Sequence, residues 1–200
     1  PPESPAPAPP AKQPPPLRLV GELFDTYALL QGPEQLLLVD KHAAHERYNY
    51  NLLKRQQDDP QMQLLLSPVP VRLPPAEYAA ALANVGLFAR LGIRLEDWGE
   101  QAVVIREIPM ILDPSQAAQT VEELAGKLAA GDLSPSAGLI DSLFYSVACR
   151  ASVMAGRASK PEELIELVRM MMGEEMDHCP HGRPVYQVIT RGQLERLFGR

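Results

Sequence analysis

The chain has 200 residues, 46% of them hydrophobic and 22% charged, with a formal net charge of −6 at pH 7. That is a globular composition, and its negative balance argues against an autonomous, high-affinity nucleic-acid binder. No apolar run approaches the roughly 20 residues that span a bilayer, no secretory leader opens the chain, and the sparse cysteines, Cys149 and Cys179, suit a reducing cytosol.

Residues 1–16 hold nine prolines and read as an extended linker that cannot bury enough apolar surface to fold. With no initiating Met, this leads to the expectation of a fragment cut from a longer protein inside its linker. Residues 17–30 have the apolar content of one strand, bent at Gly21. Gln31-Gly32-Pro33-Glu34 turns it into a second strand at 35–40, an antiparallel hairpin. A helix is expected from His42 to near Gln57, because Ala43, Ala44, Arg47, Leu52, Leu53 and Lys54 favour it and no Pro or Gly interrupts before Pro60. Residues 61–73 return as an extended segment, and Pro68, Pro70 and Pro74 consign its later part to an edge or crossover.

The block 74–136 carries 4 basic and 9 acidic residues, a balance of −5, so nearly all of the chain's net negative charge lies there. An amphipathic helix at 77–91 stops at Gly92, strands at 93–98 and 102–108 join at Gly99-Glu100, and a helix follows at 121–130. Together they read as a compact α/β insertion. Ser134-Pro135 signals a further helix from about 136 to Cys149, with Leu139, Leu143, Phe144, Val147 and Ala148 as its apolar positions. Pro161 starts a core-forming helix at 162–172, whose methionines read as packing filler. A strand at 185–189 and a short helix at 193–198 end a mixed α/β (α+β) chain.

All four histidines and both cysteines fall in three short segments, 40–46, around 149, and 178–181. His42 and Glu46 stand four apart on a helix, about 40° apart around its axis, so both can reach one ion. The plainer reading of that stretch is an Asp40 N-cap before a solvated charged face. Cys179-Pro180-His181 puts a thiolate and an imidazole two residues apart on a stiff turn, a pair suited to zinc. Asp40, His42, Glu46, Cys149, Cys179 and His181, with His45 and His178 in reserve, exceed what one tetrahedral structural zinc needs. They fit two ions, or one with open positions, as used to hydrolyse phosphodiesters. The order His-x-x-His-Glu matches neither a zincin nor an inverted zincin, and Cys-Pro-His is not the deaminase pattern.

Asp40-Lys-His-Ala-Ala-His-Glu46, Ala148-Cys149-Arg150, Cys179-Pro-His-Gly-Arg183-Pro184 and Phe198-Gly-Arg200 resemble, in order, four motifs of the C-terminal domain of MutL DNA mismatch-repair proteins, in the branch that bears an endonuclease. The resemblance implies a two-lobed homodimer, with a dimerisation subdomain from both chain ends (17–73 and 137–200) and an inserted external subdomain (74–136). It implies metal-dependent nicking of duplex DNA, with an ATPase domain upstream, in the bacterial cytoplasm and associated with the nucleoid. Asp40, His42 and Glu46 become the catalytic edge for Mn²⁺ or Mg²⁺, and Glu46, Cys149, Cys179 and His181 hold zinc. Arg183 and Arg200 face phosphate or pair with local carboxylates. Gln63-Leu64-Leu65-Leu66-Ser67-Pro68 resembles the segment by which bacterial members engage the replication sliding clamp, through Gln63, Leu66 and Pro68; a plain buried strand is the other reading. The mismatch-recognition protein is a further implied partner. Two positions depart from the family pattern. Asn51 stands where a second Glu is usual, and Lys41, in place of the usual Gln, sets a positive charge beside the ions unless it points away. The rival function is a non-catalytic dimerisation scaffold with structural zinc only.

Overall fold

The computed structural model describes residues 16–131, 137–153, 161–173, 178 and 184–200. Nearly all of the proline-rich segment, the Ser134-Pro135 signal, and Cys179, His181 and Arg183 lie outside the described residues. Two strands, not one, precede the 31–34 turn: β1 (Arg18–Leu23) and β2 (Tyr27–Gln31), paired antiparallel. Phe24 and Asp25 reverse the chain with φ of 53° and 54°, a turn usually written Asn-Gly, so its residue types hid it. The Thr26 hydroxyl donates to the Phe24 carbonyl at 2.9 Å and helps hold the turn. The bend expected at Gly21 is a register shift between Leu19 and Gly21. β3 (Gln35–Asp40) pairs with β2 and leads directly into α1 (Lys41–Arg55). The Asp40 carboxylate starts that helix by accepting from the His42 and Ala43 amides at 3.0 and 3.1 Å.

β4 (Met62–Arg72) carries Pro68 and Pro70 on a sheet edge, where a missing N–H is tolerated. The helix expected at 77–91 is two, α2 (Pro75–Ala83) and α3 (Val85–Arg90). At Asn84 between them, the side-chain amide donates to the Ala80 carbonyl at 2.9 Å, and the backbone bonds Ala81 instead. Local side-chain bonding of this kind competes with helix continuation. Gly92 takes φ +79°, and a Cβ there would meet Pro109 at 3.1 Å. β5 (Arg94–Gly99) and β6 (Ala102–Pro109) form the hairpin, and α4 (Ala117–Ala130) closes the block. This sheet runs in the order β4-β6-β5.

α5 (Ala137–Val153) and α6 (Pro161–Gly173) follow. β7 (Tyr186–Thr190) then pairs antiparallel with β3, joining the chain's two ends in one sheet, β1-β2-β3-β7. α7 (Arg191–Leu197) begins with a capping box between Thr190 and Gln193. The mixed α/β class expected from the sequence is therefore the class observed. Among the described residues, no helix is long and apolar enough to cross a membrane.

Two apolar cores result. One lies between the first sheet and α6, with Ala28, Leu30, Leu37, Val39, Leu164, Val168 and Met171. The other fills the second sheet and α2–α4, and takes in Leu143, Phe144, Val147 and Ala148 of α5. α1 serves both, giving Ala43 and Ala44 to the first and Leu53 to the second. The Lys54 ammonium lies 5.0 Å from the Phe144 ring centroid and pairs with Asp141 at 2.7 Å, fastening α1 to α5.

Phe144 is fully buried at this junction. Phe144→Ala is expected to lower stability by about 3–5 kcal/mol, measured as an earlier urea midpoint. A loss under about 1 kcal/mol would show that α5 does not close the second core.

Candidate metal centre

Helical spacing builds the site from two facing pairs. On α1, His42 and Glu46 are four residues apart; on α5, Tyr145 and Cys149 are four apart, off the stripe formed by Leu143, Phe144 and Val147. α1 packs along α5, so the two pairs meet. His42 Nε2 lies 3.0 Å from Glu46 Oε1, and the Tyr145 hydroxyl donates to Glu46 Oε2 at 2.9 Å. Ligand atoms of His42, Glu46 and Cys149 all lie within 4.8 Å of one another. Glu46 is buried, Cys149 half-buried and His42 exposed, so the group opens to solvent on the histidine side.

A buried carboxylate must be hydrogen-bonded to be tolerated. Glu46 meets that demand with His42, Tyr145 and the Cys149 thiol. The thiol responds: burial first, then its hydrogen bond to Glu46 and the charges of Glu46 and Glu123, push its pKa from 9.0 to about 11, against a lowering pull from Arg150. Arg150 itself is held by α4, donating to Glu123 at 3.0 Å and to Gln119 at 2.9 Å. Burial works to raise the Glu123 carboxyl, but hydrogen bonds from Ser146, Lys127 and Arg150 outweigh it and hold the group below its usual range. These contacts fix the rotation of α5, and with it the direction of Cys149.

The structure brings together His42, Glu46 and Cys149. Asp40 lies outside this three-residue group but directly before it, its Oδ1 committed to the α1 cap. The Asp40 amide donates to the Val185 carbonyl at 2.9 Å, tethering the start of α1 to the chain that follows the Cys179–Arg183 stretch. His178 is exposed and makes an isolated antiparallel bridge with Pro184. His45 turns away, with Nδ1 2.7 Å from the Lys41 carbonyl. Lys41 is buried, its ammonium paired with Glu22 of β1, which neutralises the charge expected to oppose metal binding. Asn51 is half-buried on α1, and the nearby Asn49 donates to the Ser152 hydroxyl at 3.0 Å. Arg200 follows α7, which leaves β7 opposite Gln35, at the end of β3 far from Asp40.

Gln63, Leu66 and Pro68 lie on β4. The Gln63 amide donates to the carbonyls of Pro109, Met110 and Leu112, the last at 2.8 Å. Leu64 and Leu66 are exposed within an irregularity between Leu64 and Val69. The plain buried-strand reading fails for these two leucines and holds for Leu65. Sequence reasoning missed Tyr145, although its spacing from Cys149 on an expected helix was the available signal. It also missed Glu22, for which no local signal exists.

A family model described as the MutL C terminal dimerisation domain matches residues 20–159. Among individual relatives, the "DNA mismatch repair protein MutL" of Syntrophobacter fumaroxidans is 33% identical over 190 residues, which cover 92% of this chain and 28% of that protein. The protein of the same name from Sinorhizobium medicae is 36% identical over 183 residues (90% of this chain, 30% of that protein). That from Bradyrhizobium sp. is 38% identical over 185 residues, with 90% and 30% covered. The chain thus spans about 30% of the length of the curated relatives it matches.

With Cys179→Ser isolating it, Cys149 in the metal-free chain is expected to alkylate with iodoacetamide roughly a hundredfold more slowly at pH 8 than a free thiol, because so little thiolate is present. The rate should climb as pH rises towards 11. A free-thiol rate at pH 8 would contradict the hydrogen-bonded thiol.

Proposed function

The chain belongs to the MutL C terminal dimerisation domain family, and we propose that it is both the homodimerisation and the metal-dependent endonuclease part of a DNA mismatch-repair protein, nicking one strand of duplex DNA. The observation that carries this is the imidazole, carboxylate and thiol converging within 4.8 Å from two helices. Glu46 and Cys149 suit zinc, and His42 Nε2 and Glu46 Oε1, 3.0 Å apart, have about the separation of two ligands on one ion. Cys179 and His181 would complete the zinc ligands. They precede Val185 by six and four residues, within about 22 and 14 Å of chain from the Asp40 tether. Asp40 would offer its cap-free oxygen, with His42 and Glu46, to the harder Mn²⁺ or Mg²⁺. When bound, such an ion activates water and stabilises charge on the phosphate oxygens. Glu46, buried and shared through Oε1, would join the two parts of the site. Of the two arginines, Arg183 lies two residues from the same tether, whereas Arg200 departs from the opposite end of β7.

The net charge of −6 makes DNA capture by this chain weak, so nicking belongs to the full-length protein in a nucleoid-associated, cytoplasmic setting. Contact with the sliding clamp would use the exposed Leu66 and Pro68 of the edge strand β4, with Gln63 exchanging its bonds to the 109–112 loop for bonds to the partner. The mismatch-recognition protein is the other partner this reading implies.

Dimerisation has a surface to match. On the first sheet Leu30, Leu37 and Val39 face the core, so alternation turns Leu29, Leu36, Leu38 and Ile189 to the other face. Leu29 pairs with Leu38 and Leu36 with Ile189, and Val20, Leu23 and Tyr27 extend the patch with exposed apolar surface. An apolar sheet face of this kind is covered in working proteins, here by a second copy.

A second reading has its own support, because Asp40 already serves as a helix cap. In that reading the domain is a dimeric scaffold with structural zinc and no catalysis. Asp40→Asn separates the two, since Asn caps as well as Asp but carries no charge. In full-length protein with Mn²⁺ and clamp, Asp40→Asn is expected to keep the wild-type melting temperature and lose at least about 100-fold in nicking of supercoiled plasmid. Unchanged nicking would support the scaffold reading. For the dimer face, Leu38→Asp is expected to yield a monomeric mass by light scattering; a persistent dimer would place the interface elsewhere.

A further inference from the structure

The two oxygens of the Glu46 carboxylate have different surroundings. Oε1 faces His42 at 3.0 Å, in the group shared with Cys149, while Oε2 receives the Tyr145 hydroxyl at 2.9 Å. The terminal torsion of a glutamate is broad and two-fold, so an unrestrained carboxylate can present either oxygen or both. A hydroxyl donated to one oxygen removes that choice. Tyr145 is well placed to impose it: Leu143, Phe144 and Val147 on either side of it in α5 are fully buried, so the backbone that carries the phenol is fixed. Cys149 stands one helical turn further on, so a single helix supplies both the thiol and the group that orients the facing carboxylate.

We propose that Tyr145 is a positioning residue that makes Glu46 a one-oxygen ligand through Oε1, by holding Oε2 out of the coordination sphere. The proposal rests on the reading of His42, Glu46 and Cys149 as a metal site. Groups that hydrogen-bond a ligating carboxylate or imidazole typically control affinity by 10- to 100-fold, and Tyr145 takes that place here. Its hydroxyl acts through Glu46, so its effect must appear in metal binding itself.

The test is equilibrium Zn²⁺ and Co²⁺ binding by the full chain, by competition with a chromophoric chelator, at a temperature where circular dichroism shows each metal-free variant folded. Tyr145→Phe keeps the ring and removes the hydroxyl. It is expected to weaken Zn²⁺ binding about 10- to 100-fold. The thiolate-to-cobalt absorption of Cys149 should persist at saturation, while the cobalt ligand-field bands fall in intensity as Glu46 turns two-oxygen. Ser142→Ala removes a hydroxyl of the same helix that donates to the Leu139 carbonyl at 2.8 Å, and is expected to leave affinity unchanged. Equal weakening by Ser142→Ala, or wild-type affinity and spectrum in Tyr145→Phe, overturns the positioning role. Cys149→Ser separates the two levels. If it binds metal as the wild type does, the site reading fails and the Tyr145 proposal with it. If it loses the metal while Tyr145→Phe does not, only the Tyr145 proposal falls.

Discussion

The seam between α1 and α5 is the constraint on which this fold and its site both depend. α1 must present Ala43 and Ala44 to one core and Leu53 to the other, while α5 commits Leu143, Phe144, Val147 and Ala148 to the second. Those demands fix both helices in rotation, and what remains along the seam is polar. Glu46 and Asn49 of α1 are buried there and find partners on α5, Tyr145 for the first and Ser152 for the second. An unpartnered carboxylate or amide at either place would cost more than a typical net hydrogen bond returns. The polar contacts therefore specify the register of the two helices, and the apolar ones supply the adhesion.

The central block is held to this seam by charge as well as by packing. Arg150, next to Cys149, reaches Glu123 and Gln119 of α4, and Lys127 of α4 reaches Ser146 of α5. Much of the block's acidity is engaged in this way. Glu107 pairs with Arg94, Glu96 with Arg106, and Asp97 accepts from the Tyr78 hydroxyl and the Gly99 amide. The arginines and lysine in these pairs are already counted in the chain's balance of −6, so the pairing orders the carboxylates locally and leaves the net repulsion that approaching DNA would meet.

How much could be read in advance depended on the range of the interaction. The strand at 35–40, the helix behind it and the spacing of His42 and Glu46 follow from local pattern, and all are observed. The reversal at Phe24-Asp25 escaped because its residues lack the Asn-Gly signature, and the break at Asn84 because one amide bonding Ala80 outweighs an otherwise continuous helical stripe. Lys41 is the plainest case of a tertiary answer. Beside the His and Glu it reads as a charge opposed to metal, and only the pairing of β1 with β2 brings Glu22 to neutralise it. Tyr145 lay between these limits, since helical spacing linked it to Cys149 but nothing in the chain showed that Glu46 faces them both.

Asp40 shows why a residue's structural use does not exclude a chemical one. Its Oδ1 takes both amide bonds of the cap, which holds the carboxylate plane at the first turn of α1 and leaves little freedom to the second oxygen. The tether from the Asp40 amide to Val185 then holds the end of β3 against the chain that follows the Cys179–Arg183 stretch. A cap therefore does for Asp40 what Tyr145 does for Glu46. In each case one oxygen is bound by the protein, so the other is oriented before any ligand arrives, and the cost of ordering it is met in folding and not in binding.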